Sequence, residues 1–128
     1  MSKVIDVYLE YHNQYKKLYG DMIVVLIQIG SFYEIMSITK SPDLEKLSII
    51  TNLRIGTRNH LYFIGFPIAY SDKYLNLLTN NGFTVVFLDK LGPSNQSIWS
   101  VDRIYSPSIN DDDDDDDEIP EEFLCISI

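Results

Sequence analysis

The chain has 128 residues, 45% of them hydrophobic, a composition that indicates one folded domain with a substantial core. Its formal net charge is −9, but ten of its 19 acidic residues fall within residues 111–122, so the remainder carries nine acidic residues against ten Lys and Arg. A single cysteine excludes an internal disulfide and a cysteine-built zinc site, and the longest apolar run is shorter than the roughly 20 residues that a membrane-spanning helix needs.

The chain begins with the pattern of an amphipathic helix followed by a buried strand. Apolar and aromatic side chains recur every three or four positions over residues 3–19, and Gly20 ends the pattern. The β-branched run at 22–29 is typical of a central strand covered on both faces. Residues 33–47 are compatible with a strand or a turn until Ser41-Pro42-Asp43, which marks the start of a helix.

A hairpin, a helix and a strand pair are predicted in the rest of the folded part. The hairpin comprises a strand at 48–54, a turn at 56–60 and a return strand at 61–66. The later elements are predicted as a helix at 72–80 capped by Ser71-Asp72 and ended by Gly82, a strand at 84–88, a turn at 92–95 and a paired strand at 99–105. This order predicts an α/β fold with a mixed β-sheet flanked by helices.

The stretch that follows the central strand is a candidate binding site. Gly30 interrupts the apolar run and allows close approach of a partner. If the chain then continues in extended form, Phe32 and Glu34 point to one side of the strand, and Tyr33 packs on the other. The ordinary alternative is that Phe32 belongs to the core and Glu34 is a solvated residue.

Basic and polar side chains gather around the predicted hairpin turn. Arg54, Arg58, Asn59 and His60 are expected near its tip, where they could contact phosphate groups. Such residues are also common on ordinary protein surfaces. A phosphate-contacting role is therefore one of two open interpretations for this cluster.

Catalytic and metal-binding patterns are not found in the sequence. It contains no Gly-x-x-x-x-Gly-Lys-Ser/Thr nucleotide loop, and its two histidines suggest no catalytic triad. Pro42-Asp43 followed by Glu45-Lys46 has a superficial likeness to a nuclease metal motif, but a helix start accounts for these residues. We predict no catalytic or metal-binding residues in this chain, hence no enzymatic activity and no cofactor of its own.

The C-terminal part differs in composition from the rest. Residues 109–121 include seven consecutive Asp and predict an acidic flexible linker after a domain at 1–108. Residues 122–128 then begin a new apolar run, which we interpret as the start of a following, truncated domain.

Four motifs in order give the chain a resemblance to the MutS family of DNA mismatch-repair proteins, over roughly residues 4–108. These motifs are the tyrosine-rich first helix, Gly30-Ser31-Phe32-Tyr33-Glu34, Gly65-Phe66-Pro67 with the following helix, and Arg103-Ile104-Tyr105-Ser106-Pro107. They resemble the family's N-terminal mismatch-binding domain. Ser31, Asp89-Lys90, Ser108 and the acidic insertion depart from the usual pattern, which indicates a divergent member, of a giant-virus or organellar branch.

The resemblance implies specific roles in DNA binding. Phe32 would wedge into the duplex from the minor groove and stack on a mispaired base, while Glu34 would hydrogen-bond the displaced base, either protonated or strongly hydrogen-bonded. Gly30 and Tyr33 would support this pair. The partner would be double-stranded DNA with mismatches or small loops, and the parent protein would dimerise through other domains and use ATP and Mg²⁺ there.

Two alternatives remain at this stage. The chain could be a protein-interaction module that keeps the fold without mismatch recognition, or a small metal-dependent nuclease. The N-terminus lacks the apolar core of a signal peptide, so we expect an intracellular, non-secreted protein that does not associate with membranes. The nucleus, an organelle and a viral factory all remain possible compartments.

Overall fold

The computed structural model describes residues 4–92 and 98–107. Three α-helices, a short 3₁₀ turn and six β-strands make up this part of the chain. In chain order they are α1 (Val4–Tyr19), β1 (Ile23–Ile29), β2 (Phe32–Ser37), α2 (Pro42–Thr51), β3 (Gly56–Arg58), β4 (Leu61–Pro67), the 3₁₀ turn (Ile68–Tyr70), α3 (Ser71–Asn80), β5 (Thr84–Leu91) and β6 (Ile98–Tyr105). None of these helices is long and apolar enough to cross a membrane.

The strands form one mixed sheet in the order β3-β4-β2-β1-β5-β6. Strands β1 and β5 run parallel, and every other neighbouring pair is antiparallel. The predicted α/β fold with a mixed sheet is therefore confirmed. The parallel pair accounts for the uninterrupted apolar character of β1, since a strand between two neighbours and under helices has no solvent-facing side.

Helices α1 and α3 pack closely on this sheet. In α1 the Tyr8 hydroxyl donates a hydrogen bond to the Val25 carbonyl oxygen at 3.0 Å, and the Tyr8 side chain is buried. In α3 the ring of Tyr74 stacks on that of Phe66 in β4, with centroids 4.4 Å apart. Leu78 of α3 is fully buried. These contacts bring the helices' apolar stripes, at spacings of three and four, onto the strands.

Most predicted elements agree with the structure. The first helix ends at Gly20, whose φ of +90° suits glycine and whose N–H bonds the Lys16 carbonyl oxygen. The helix start at Ser41 is also confirmed, because the Ser41 hydroxyl accepts a hydrogen bond from the Leu44 N–H at 3.2 Å. The segment before this helix, which is compatible with a strand or a turn by sequence, forms the strand β2.

The predicted strand at 48–54 is wrong. The helix that starts after Ser41 continues to Thr51, and Asn52 ends it in the left-handed conformation with φ of +59°. The Thr51 hydroxyl donates a hydrogen bond to the Leu47 carbonyl oxygen at 2.7 Å, and this bond accommodates a β-branched residue in the last turn of the helix. The hairpin consequently forms between the shorter β3 and β4.

The predicted cap at Ser71 is also wrong. Ser71 is the first residue of α3 and follows directly on the 3₁₀ turn, so the residue in the cap position is Tyr70, which makes no side-chain capping bond. The proposed linker at 109–121 and the run at 122–128 lie outside the described residues, as do all but the first residue of the turn predicted at 92–95.

Candidate functional site

A tight turn separates the central strand from the candidate site. Gly30 and Ser31 connect β1 to β2, with Ile29 paired to Phe32 across the turn. Gly30 has φ of +60°, which is the requirement of the first position in a two-residue type II′ hairpin turn. The Ser31 carbonyl oxygen accepts a hydrogen bond from the Ile68 N–H at 2.9 Å. The turn is thus held by its own strands and by the start of the 3₁₀ turn.

Phe32 is the first residue of β2 and is 42% exposed. The strand pairs with β1 on one side and with β4 on the other, where Phe32 lies opposite Pro67. An aromatic ring is therefore presented to solvent by a backbone that is hydrogen-bonded on both sides. The paired backbone fixes the side of the sheet on which the Phe32 side chain lies.

Tyr33 points to the opposite side and enters the core. It is 3% exposed, and its ring meets Phe87 edge-on with centroids 5.0 Å apart. Its hydroxyl donates a hydrogen bond to Asp89 Oδ1 at 2.7 Å and accepts one from Arg103 Nη2 at 3.3 Å. Burial, followed by the bond to Asp89, raises the pKa of Tyr33 to about 12. Tyr33 thus anchors β2 to β5 and β6.

Glu34 is buried and paired with Arg58. Its side chain is 6% exposed, whereas that of Arg58 is 45% exposed. Arg58 Nη2 donates to Glu34 Oε1 at 2.6 Å, and Arg58 Nη1 donates to Oε2 at 3.2 Å. This two-point contact is the strong form of an arginine–carboxylate pair. The hydrogen bond to Glu34 raises the pKa of the Arg58 guanidinium above its ordinary value.

Two glycines make room for the pair. Gly65 of β4 lies opposite Glu34, and a Cβ there would stand 3.1 Å from Glu34 Cγ. The Arg58 guanidinium carbon lies 4.5 Å from the centroid of the Phe63 ring. A Cβ at Gly56 would stand 3.0 Å from that same ring. Gly65 therefore makes room for Glu34, and Gly56 makes room for the Phe63 ring over which the Arg58 guanidinium lies.

The predicted basic cluster is only partly brought together. Arg58 ends β3, and Asn59 and His60 form the exposed two-residue turn before β4. Both turn residues have positive φ, +54° and +66°, as a type I′ turn requires. Arg54 lies in the connection between α2 and β3, where it is exposed and makes no side-chain hydrogen bond or ion pair with the residues that the structure describes.

Sequence reasoning did not identify several residues that shape the site. Phe63 and Gly65 support the Glu34–Arg58 pair, and Asp89 and Arg103 hold Tyr33. A glycine inside an apolar strand signals close approach of another group, so Gly65 could have been found from its position in the return strand. The other three depend on strand register, for which the sequence gives no direct signal.

A separate groove lies away from these residues. It opens between α1 and α2 at the end of the sheet away from the β1–β2 turn, and its walls include Tyr8, His12, Met36 and Leu44. Burial lowers the pKa of His12 there. Within residues 4–92 and 98–107 no group of three or more His, Cys, Asp or Glu could hold a metal ion.

Comparisons with known proteins agree on one family. The family model for MutS domain I matches residues 7–114. A mitochondrial DNA mismatch repair protein, a MutS homologue of Sarcophyton glaucum, is 28% identical over 126 residues, covering 72% of this chain and 12% of that protein. A DNA mismatch repair MutS homologue of Acanthamoeba polyphaga mimivirus is 27% identical over 112 residues, covering 78% of this chain and 10% of that protein. The chain therefore spans about a tenth of the length of these relatives.

Proposed function

Because this chain belongs to the MutS family, whose domain I it contains, we propose that it binds mismatched DNA in mismatch repair, with Phe32 inserted at the mispair. The observation that carries the proposal is the 42% exposure of Phe32 on a strand that is paired on both sides. A large apolar side chain held out in this way is suited to insertion between bases. The chain itself binds and does not catalyse.

The physical basis of recognition is deformability of the duplex. Insertion of an apolar ring from the minor groove unstacks a base step and kinks the DNA, at a cost of roughly a few kcal/mol. A mispair has already lost part of its pairing and stacking energy, so the same deformation costs less there. Stacking on the inserted ring returns about 1–3 kcal/mol per base and does not depend strongly on which base is stacked. Phe32 would thus favour mispairs without reading sequence.

Glu34 supplies the polar part of the proposed contact. It lies two residues after Phe32 and therefore on the same side of β2. We propose that it accepts a hydrogen bond from the base displaced by the ring. Gly30 supports this pair by allowing the tight turn before β2, and Tyr33 supports it by anchoring β2 on the opposite side of the sheet.

Contacts to the DNA backbone are proposed for three exposed side chains. Asn59 and His60 stand at the tip of the β3–β4 hairpin, and Arg54 stands just before β3. Phosphate contacts of this kind position a protein without carrying sequence information. They would contribute to matched and mismatched DNA equally.

Further proposals concern the parent protein. Its partner would be double-stranded DNA with mismatches or small loops, and dimerisation and the use of ATP and Mg²⁺ would reside outside residues 7–114. The competing proposal is a protein-interaction module with the same fold. Intact Phe32 and Glu34 favour DNA binding.

The test is binding of the longest available chain that contains these residues to duplexes differing only in one mispair. The wild-type protein should prefer the mispaired duplex, and Phe32→Ala should lose roughly 5- to 150-fold in affinity for it, the equivalent of about 1–3 kcal/mol of stacking. Ile49→Ala is the matched control, because it also removes an exposed apolar side chain, on α2. Equal affinity of the wild type for both duplexes would favour the interaction module.

A further inference from the structure

We propose that Arg58 is a positioning residue for mismatch recognition, which holds the Glu34 carboxylate in place and neutralises its charge at the mispair. The inference rests on the proposed function and deepens it. It differs from the sequence-based expectation that Arg58 contacts phosphates, because the guanidinium is already engaged by both carboxylate oxygens of Glu34.

Geometry favours a fixed pair over a chance surface contact. Both oxygens of Glu34 are bonded to separate guanidinium nitrogens at 2.6 and 3.2 Å, and the Glu34 side chain is 6% exposed. The guanidinium also rests on the Phe63 ring. An arginine held by a carboxylate and an aromatic ring together has few other positions open to it, so it fixes the rotamer of Glu34.

Pairing with Arg58 also reduces the electrostatic cost of bringing the Glu34 carboxylate close to DNA. A carboxylate brought close to DNA is repelled by the phosphates, and an unpaired carboxylate with little solvent contact is costly in any case. Paired with Arg58, the two side chains form a unit of zero net charge. A carboxylate offers about four acceptor positions, so after two bonds from Arg58 each oxygen can still accept one from a base.

Arg54 serves as the comparison, because it has the properties expected of an arginine that contacts only the DNA phosphates. It lies four positions earlier in the chain, is exposed, and has no ion-pair partner within the described part of the chain. Substitution of such a residue weakens binding to all duplexes alike. Substitution of Arg58 should instead weaken binding selectively, because it disturbs a residue that acts at the mispair.

The experiment measures affinities for a matched and a single-mispair duplex with wild type, Arg58→Gln, Arg54→Gln, Glu34→Gln and the Glu34→Gln/Arg58→Gln double variant. Arg58→Gln should lose about tenfold or more on the mispaired duplex and much less on the matched one. Arg54→Gln should lose about two- to fivefold on both. The double variant should recover part of the Arg58→Gln loss, because a neutral amide needs no cation beside it.

An equal loss on both duplexes for Arg58→Gln, with no recovery in the double variant, would overturn the proposal and leave Arg58 as a phosphate contact. Thermal unfolding without DNA separates this result from failure of the proposed function. Arg58→Gln should lower Tm more than Arg54→Gln, and adding Glu34→Gln should raise it again. If Tm behaves in this way while the wild type shows no mispair preference, the pair is real but both the mismatch function and the role of Arg58 in it are wrong.

Discussion

The centre of the sheet is packed with apolar side chains, whereas its β2–β4–β3 side carries the polar and exposed side chains of the candidate site. In the centre, Ile27 of β1 lies between Glu34 of β2 and Leu88 of β5, and both apolar side chains are fully buried. Towards the side, the same row continues into the buried Glu34 and into Gly65. The side chain of Arg58, which is paired with Leu61 at the end of β3, reaches Glu34 from outside this row. One row of paired positions thus passes from packing to polar chemistry within two strands.

This difference predicts that stability and DNA binding depend on different residues of the sheet. Central residues contribute apolar burial, which is worth about 25 cal/mol per Å² removed from water. At the side, Phe32 remains exposed and Glu34 requires a dedicated partner, so neither is placed there for stability alone. Substitutions in the two regions should therefore have effects of different kinds, and this separation can be tested.

The largest stability effect is expected for Leu88→Ala in the centre. Leu88 is fully buried, so its truncation should lower the free energy of unfolding by about 2–5 kcal/mol through lost burial and a residual cavity. Denaturant unfolding measures the loss. The fraction that remains folded should keep the wild-type ratio of affinities for mispaired and matched DNA, and a changed ratio would break the separation proposed above.

A mixed effect is expected for Gly65→Ala at the side of the sheet. The added Cβ would stand 3.1 Å from Glu34 Cγ and 3.3 Å from the Tyr33 carbonyl oxygen, so overpacking should cost about 1–3 kcal/mol. Displacement of Glu34 should also reduce the preference for mispaired DNA, measured with the same pair of duplexes.

Gly20→Ala is the control for this substitution. It should also destabilise, by about 1–2 kcal/mol, because Gly20 has φ of +90°, but a Cβ there meets nothing within 4 Å. Its ratio of affinities should stay at the wild-type value. A loss of preference in both variants would show that reduced stability alone explains the effect of Gly65→Ala.

The smallest effect, and one of opposite sign, is expected at the hairpin tip. His60 has φ of +66°, a conformation that glycine adopts without strain, so His60→Gly should raise the free energy of unfolding by about 0.5–1 kcal/mol. Asn59→Gly should gain less, since asparagine tolerates the left-handed region better than most residues. Denaturant unfolding of both variants tests the difference; an equal or larger gain at Asn59 would contradict it.

The sequence was sufficient for elements defined by local patterns. The period of α1, the apolar run of β1 and the cap at Ser41 all follow from neighbouring residues, and the structure agrees. The misassigned segment at 48–54 shows the limit of the same reasoning. Its β-branched residues favour a strand, but a helix already started by Ser41-Pro42 continues through them and leaves Ile49 81% exposed.

The site was only half accessible to sequence reasoning. Alternation along β2 was enough to separate Phe32 and Glu34 from Tyr33. The contact between Glu34 and Arg58 joins residues 24 positions apart through the register of β2, β4 and the short β3. Because β3 was not recognised as a strand of three residues, the path of the Arg58 side chain could not be traced.

The parallel pairing of β1 with β5 imposes an order on the folding of the chain. Strands β1, β2, β4 and β3 pair antiparallel within residues 23–67 and can assemble once residue 67 has left the ribosome. The other edge of β1 must wait for residues 84–88, its partners in β5. At about 5–20 residues per second, synthesis leaves the apolar β1 with one unpaired edge for on the order of one to several seconds after residue 67. In that interval the strand at the centre of the finished domain is an edge strand, open to pairing with another chain.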